Sequence, residues 1–199
     1  MKFCAFVRIL FTALLFAVTS QVDAAATLIV NDGGVLVGAH DVNVGGTMYD
    51  VRFSAGSCNS LFNGCSTSAF AFTSESAAGG ASFALIDQVF NNPLAYSYGI
   101  DPSKILGCTY KYYCYLFIPF ATTGNIFSVE DVLYFGNGSA SYSLYSNVFL
   151  TSADTTIFST YTFAIFEPAN PAAGVPEPSS IALISLAFSG FAFIRRRKA

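Results

Sequence analysis

The residue types able to do chemistry in this chain are a single histidine, several pairs of acids, five cysteines and a run of tyrosines. His40 precedes Asp41, and a His-Asp neighbour pair in a serine-rich chain is raw material for a hydrolase. Adjacent side chains on a strand point to opposite faces, so Asp41 would not orient His40 there. No Gly-x-Ser-x-Gly elbow accompanies the pair, and the reading is a surface histidine in a loop after Gly38. Glu130 with Asp131, and Asp41 with Asp50, are the carboxylate pairs. Neighbouring acids on strands read as solvated faces, and no glycosidase geometry can be placed on them. There is no Asp-x-Asp-x-Asp-Gly calcium loop. Gly33-Gly34, Gly45-Gly46 and Gly79-Gly80 lack the spacing and the lysine of a phosphate loop. The chemistry therefore predicts no cofactor, no metal and no catalysis. Tyr110, Tyr112, Tyr113 and Tyr115 can stack on sugars, with half-buried strand tyrosines as the plainer reading.

The cysteines point to disulfides. Cys4 lies in an N-terminal targeting segment, which leaves Cys58, Cys65, Cys108 and Cys114. In an oxidising, exported context these read first as bridges, and four cysteines allow three connectivities. Cys58 and Cys65 bracket a turn-rich loop. Cys108 and Cys114 would stand about 20 Å apart on a straight strand at roughly 3.3 Å per residue, whereas a bridge needs Cα atoms within about 7 Å. A local pair therefore demands a chain reversal within 109–113, and cross-pairing is the alternative that keeps the strand straight. Local pairs are the expectation. A zinc site is the rival, but the spacings exceed the usual Cys-x₂₋₄-Cys.

The elements that must position these residues are mostly strands. Few charges, abundant Gly, Ser, Thr and Asn, and 21 Phe with 11 Tyr favour strands and turns. Residues 26–30 read as a strand, Asn31 to Gly34 as a turn and 35–37 as its partner. Residues 41–44 and 47–53 alternate about Gly45-Gly46, with Met48, Asp50 and Arg52 on one side. Residues 69–73 form a further strand candidate. One helix is predicted near 76–91, with Ser76 as its N-cap and Asn91-Asn92-Pro93 as its end. Gly79-Gly80 weakens its first turn. Strands follow at 108–120, 126–135, 140–150 and 156–166. The expected fold is mainly β (α+β), with antiparallel sheets in a sandwich-like arrangement and one helix.

Charge narrows the partners. Between residues 25 and 173 there are ten acids against Arg52, Lys104 and Lys111, a balance of 3 − 10 = −7. Such a surface repels phosphate backbones and excludes nucleic acid.

The two ends read as targeting segments. Met1-Lys2 and Arg8, the apolar stretch 9–18 and Val22-Asp23-Ala24 form a signal peptide over 1–24. The exported domain spans 25–166 and a Pro/Ala linker 167–175. Residues 176–199 join Pro176-Glu177-Pro178 to an uncharged apolar run, 179–194, and then to Arg195, Arg196, Arg197 and Lys198. Sixteen residues as a helix reach about 24 Å, short of a hydrocarbon core of about 30 Å. Snorkelling and local thinning close that gap, and the basic cluster holds the C-terminus on the cytoplasmic side.

This tail resembles the PEP-CTERM sorting signal of Gram-negative bacteria, in the order of its Pro-Glu-Pro, apolar and basic parts. The resemblance implies an exosortase as processing partner, while the signal peptide over 1–24 implies the Sec translocon and signal peptidase before it. It also implies transient inner-membrane anchoring, then delivery to the cell surface or outside the cell. Residues 42–53, the Cys58/Cys65 loop and 87–90 are similar, more loosely, to other exported domains carrying this tail, and imply no activity. The expected function is a structural or adhesive surface or matrix protein of biofilm, associated with exopolysaccharide and acting by binding. The alternative is a secreted hydrolase acting on polysaccharide.

Overall fold

The computed structural model describes residues 26–91, 98, 101–136, 139–142 and 147–169. The signal peptide 1–24, the sorting residues Pro176, Glu177 and Pro178, the apolar run 179–194 and the cluster Arg195–Lys198 lie outside them. Among the described residues no helix is long and apolar enough to cross a membrane.

Three hairpin-connected strands open the domain: β1 (Thr27–Val30), β2 (Leu36–Val44) and β3 (Thr47–Ser54). The Asn31 carboxamide builds the first turn, its Oδ1 accepting from the Gly33 and Val35 amides at 3.0 and 2.9 Å. Gly45 and Gly46 make the second, at φ +60° and +91°, where a side chain would be strained. A one-turn helix, α1 (Cys58–Leu61), and the main helix, α2 (Glu75–Leu85), follow. Then come β4 (Tyr113–Thr123), β5 (Ile126–Phe135), β6 (Ser139–Tyr142), β7 (Asn147–Leu150) and β8 (Tyr161–Pro168).

The sandwich expectation is corrected. The strands form one eight-stranded sheet in the order β1-β2-β3-β8-β4-β5-β6, with β7 also on β5. The cause is the last strand. β8 runs antiparallel to β3 and parallel to β4, with Tyr115 opposite Tyr161 and Phe117 opposite Phe163. It splices the N-terminal hairpins to the β4–β5 hairpin, so no second sheet separates. It also continues through Glu167 and Pro168, which pair with Asp50 and Tyr49, into the stretch expected to be linker.

Each face of the sheet is covered by something other than a sheet. On one face α2 buries Ala78, Ala81, Ala84 and Leu85 against Leu36, Val51, Phe53, Leu116, Ile118 and Val132. Phe53, Phe90 and Tyr134 continue this core as a stack, with centroids 6.1 and 4.5 Å apart. On the other face the Cys58–Cys65 loop and Phe70 cover Phe117, Phe127, Phe163 and Ile165. Each large apolar side chain so buried contributes about 1.5–3 kcal/mol.

Several elements shift from expectation for local reasons. Ser74, not Ser76, caps α2, its Oγ accepting from the Ala77 amide at 3.3 Å. The α-helical pattern stops at Leu85 and a π-turn, Ile86–Phe90, finishes the helical segment. That extra residue aims Gln88 at the sheet: its carboxamide accepts from the Asn43 amide at 2.8 Å and donates to the Asn43 carbonyl at 2.7 Å. Residues 69–73 are not a strand; a 3₁₀ turn, Thr67–Ala69, leads into irregular chain that puts Phe70 and Phe72 on opposite faces of the sheet. The strand expected over 140–150 divides into β6 and β7, which pair with the end and the start of β5 in turn.

Candidate functional site

The sheet face beside the Cys58–Cys65 loop carries an unbroken chain of aromatic rings. The period-two alternation of β4 sends Tyr113, Tyr115 and Phe117 to that face. The parallel register with β8 adds Tyr161 and Phe163, and the β5–β7 pair adds Phe127 opposite Phe149. Ring centroids step from Tyr110 to Tyr113 at 4.9 Å and to Tyr115 at 5.7 Å. They continue to Tyr161 at 5.4 Å, Phe117 at 5.1 Å and Phe149 at 4.7 Å. Tyr112 joins Tyr110 edge-on at 5.3 Å, with Lys111 Nζ 5.1 Å from its centroid. Edge-to-face and offset contacts of this kind are each worth about 0.5–1.5 kcal/mol beyond burial. The four tyrosines singled out in the sequence are therefore brought together. One end of the row is open to solvent, Tyr112 being 57% exposed.

The chain reversal that gathers them is the Cys108–Cys114 bridge. Its Cα atoms are 5.9 Å apart, and Cys58 and Cys65 are bridged at 5.0 Å. Both local pairs are thus as expected, and no thiolate remains for the rival zinc site. Strand β4 starts at Tyr113 instead of Cys108, because Gly107 turns at φ +91° and the amides of Thr109 and Tyr110 both donate to the Ser159 carbonyl, at 2.8 and 2.9 Å. In the other loop Asn63, Gly64 and Cys65 all take positive φ, which folds Cys65 back on Cys58.

The far end of the ring row opens into a pocket of about 200 Å³, lined by Phe117, Phe127, Phe149, Phe158, Tyr161, Ala153, Asp154 and Thr155. Phe158 is 46% exposed and stands edge-on to Tyr161 at 5.6 Å. Asp154 caps the short 3₁₀ turn Thr155–Ile157, and its Oδ1 accepts from the Thr156 amide at 2.9 Å. That bond holds its carboxyl below the ordinary aspartate range. The Thr155 hydroxyl is committed elsewhere, donating to the Gly56 carbonyl at 3.1 Å. Deeper in the row, burial first, then Tyr161, Asp131 and Tyr113, pushes the Tyr115 phenol up, so it stays protonated at neutral pH.

The acids behave differently from expectation. Glu130 and Asp131 are buried, not solvated. They sit on opposite faces of β5, Glu130 in line with Val132 and Tyr134 of the helix-side core, Asp131 in line with Val129 and Phe127. They cannot work as a pair. Asn147 Nδ2 donates to Asp131 Oδ1 at 3.0 Å.

His40 is in β2 and not in a loop. A bulge between Ala39 and Val42 sets His40 and Asp41 both against Asp50 of β3. His40 Nδ1 lies 2.9 Å from Asp50 Oδ1, and the Asp41 amide donates to the same oxygen at 3.4 Å. The carboxylate partner is thus a cross-strand residue which reasoning on neighbours missed. Counting back from the Gly45-Gly46 turn places 41 opposite 50, so the hairpin register was the available signal. The pair edges an open trough of about 420 Å³ with Arg52, Ser54, Leu106 and Glu167. Ser54 is four residues along the same strand from Asp50, about 13 Å away at roughly 3.3 Å per residue, too far to share its histidine. Among the described residues no group of three or more His, Cys, Asp or Glu side chains is placed to hold a metal.

Residues 174–198 match the family described as the PEP-CTERM protein-sorting motif. The matched span contains Pro176-Glu177-Pro178 and Arg195–Lys198. The PEP-CTERM signal implies an exported protein processed at the membrane by an exosortase. Neither the curated proteins nor the solved structures contain a match to the chain.

Proposed function

We propose that this is an exported cell-surface or extracellular-matrix protein that works by binding, not catalysis, with exopolysaccharide as its partner. Residues 1–24 direct it through the Sec translocon to signal peptidase. Residues 179–194 then hold it in the inner membrane, C-terminus cytoplasmic, until an exosortase acts near Pro176-Glu177-Pro178.

The observation that carries the binding reading is the exposed pair Tyr110 and Tyr112, which continue into the half-buried Tyr113 and Tyr115 at the open end of the ring row. Tyrosine offers a large, rigid, amphipathic contact surface at low entropic cost, and neighbouring exposed aromatics held by a disulfide-closed loop mark a contact surface. The acidic domain suits a neutral or cation-bridged polymer better than nucleic acid. Affinity electrophoresis of the full chain through gels containing the producing cell's exopolysaccharide tests this. The protein should be retarded, and Tyr110→Ala with Tyr112→Ala should abolish most of the retardation. Migration unaffected by polysaccharide overturns the reading.

The hydrolase alternative draws on the His40–Asp50 pair at 2.9 Å. Release of reducing ends from the same polysaccharide, lost in His40→Ala, would favour it.

A further inference from the structure

We propose that the pocket at the Phe149 end of the ring row binds a quaternary ammonium group, the trimethylammonium head of a choline-like ligand. The pocket has the two parts such a cation needs. Phe117, Phe127, Phe149, Phe158 and Tyr161 supply five aromatic rings to one cavity of about 200 Å³. Ring quadrupoles attract cations, more strongly as the site dries. Asp154 adds a full negative charge on the same lining, kept ionised by the Thr156 amide at 2.9 Å. Nothing cationic competes: Arg52, Lys104 and Lys111 are the basic residues among those described, and none lines the pocket.

The polar inventory decides which cation. A primary ammonium carries three donors, and the side chains of the lining offer the Asp154 carboxylate and the Tyr161 phenol. The Thr155 hydroxyl is already spent on Gly56. At least one N–H group would be desolvated without a side-chain acceptor, which is costly. A methylated ammonium has no donors to satisfy, and its methyl groups pack on rings. A neutral apolar ligand would fit the rings but would take water from the Asp154 carboxylate without compensation. A sugar would bring several hydroxyls to the same two side-chain acceptors. The inference stands whether or not the tyrosine end of the row meets polysaccharide.

The test is calorimetric titration of the full chain in polyoxyethylene detergent with three probes: choline, its neutral carbon isostere dimethylbutanol, and ethanolamine. Choline should bind saturably and about tenfold or more tighter than either of the others, a difference of about 1.4 kcal/mol. Phe158→Ala and Asp154→Asn should each weaken choline several-fold. Phe158 is surface-exposed, and asparagine can still accept from Thr156, so both variants should keep the parent's thermal midpoint. Equal affinity for dimethylbutanol would reduce the pocket to an apolar hole and overturn the proposal. So would preference for ethanolamine, choline affinity unchanged in Asp154→Asn, or no saturable choline binding.

Discussion

Gly38 sits opposite Arg52 in the β2–β3 ladder, and a Cβ there would run into the Val51 carbonyl. The neighbour is strand backbone and cannot swing aside. Gly38→Ala should therefore cost about 1–3 kcal/mol, read as a lower urea midpoint at unchanged slope. Tyr134 makes a second residue-level prediction. Burial pushes its phenol above the ordinary tyrosine value. A folded pKa above the unfolded one contributes stability that is complete below about pH 10 and is lost as pH rises through the folded value. Urea stability should fall as pH rises above about 10, and Tyr134→Phe should make that fall shallower. An equally steep fall in the variant would assign the loss to other groups. At this scale the sequence was least informative. His40 found Asp50 through a bulge, and Glu130 and Asp131 went inside. Neither follows from residue type, because both depend on which strand lies next to which.

The helix and the two small loops carry the element-scale predictions. Gly80 lies in the middle of α2, and a Cβ there would meet nothing within 4 Å. Gly80→Ala should raise stability by about 0.5–1 kcal/mol, since glycine loses the most chain freedom on entering a helix. Cys58–Cys65 and Cys108–Cys114 each close a loop of seven or eight residues counted inclusively, separations of 7 and 6. The loop-entropy estimate is roughly 2.5 kcal/mol per bridge. Cys→Ser at either member of a pair should lower the unfolding free energy by similar amounts. Cys108→Ser should additionally dim any ligand response of the tyrosine row, because the reversal at 108–114 is what gathers it. Elements set by local patterns were legible: the two glycine turns, the alternation of 47–53, the strand 126–135 and the helix. Elements set by long-range pairing were not. The irregular path of 69–73 is imposed by Phe70 and Phe72 reaching different faces, and the break between β6 and β7 by their shared partner β5.

At the scale of the whole molecule, a composition rich in alternating aromatics announced a mainly β domain but could not distinguish two sheets from one. The deciding contact is the parallel pairing of Tyr115, Leu116 and Phe117 with Tyr161, Thr162 and Phe163, across more than forty residues of chain. The tail was the most legible segment, because its three parts act by simple length and charge. Replacing Arg195, Arg196, Arg197 and Lys198 by neutral residues removes the charges that favour a cytoplasmic C-terminus. With an apolar run of only sixteen residues, the variant should leak unprocessed into the periplasm or medium, visible by immunoblot of fractionated cells. Normal anchoring and sorting of that variant would contradict the proposed orientation.

The proposed delivery brings the folded sheet to the cell surface with both targeting ends removed. Intact-mass measurement of protein recovered from the cell surface tests it most directly. The recovered chain should lack roughly 1–24 and most of 178–199, with both disulfides intact. Surface protein that still contains the Arg195–Lys198 peptide would contradict it.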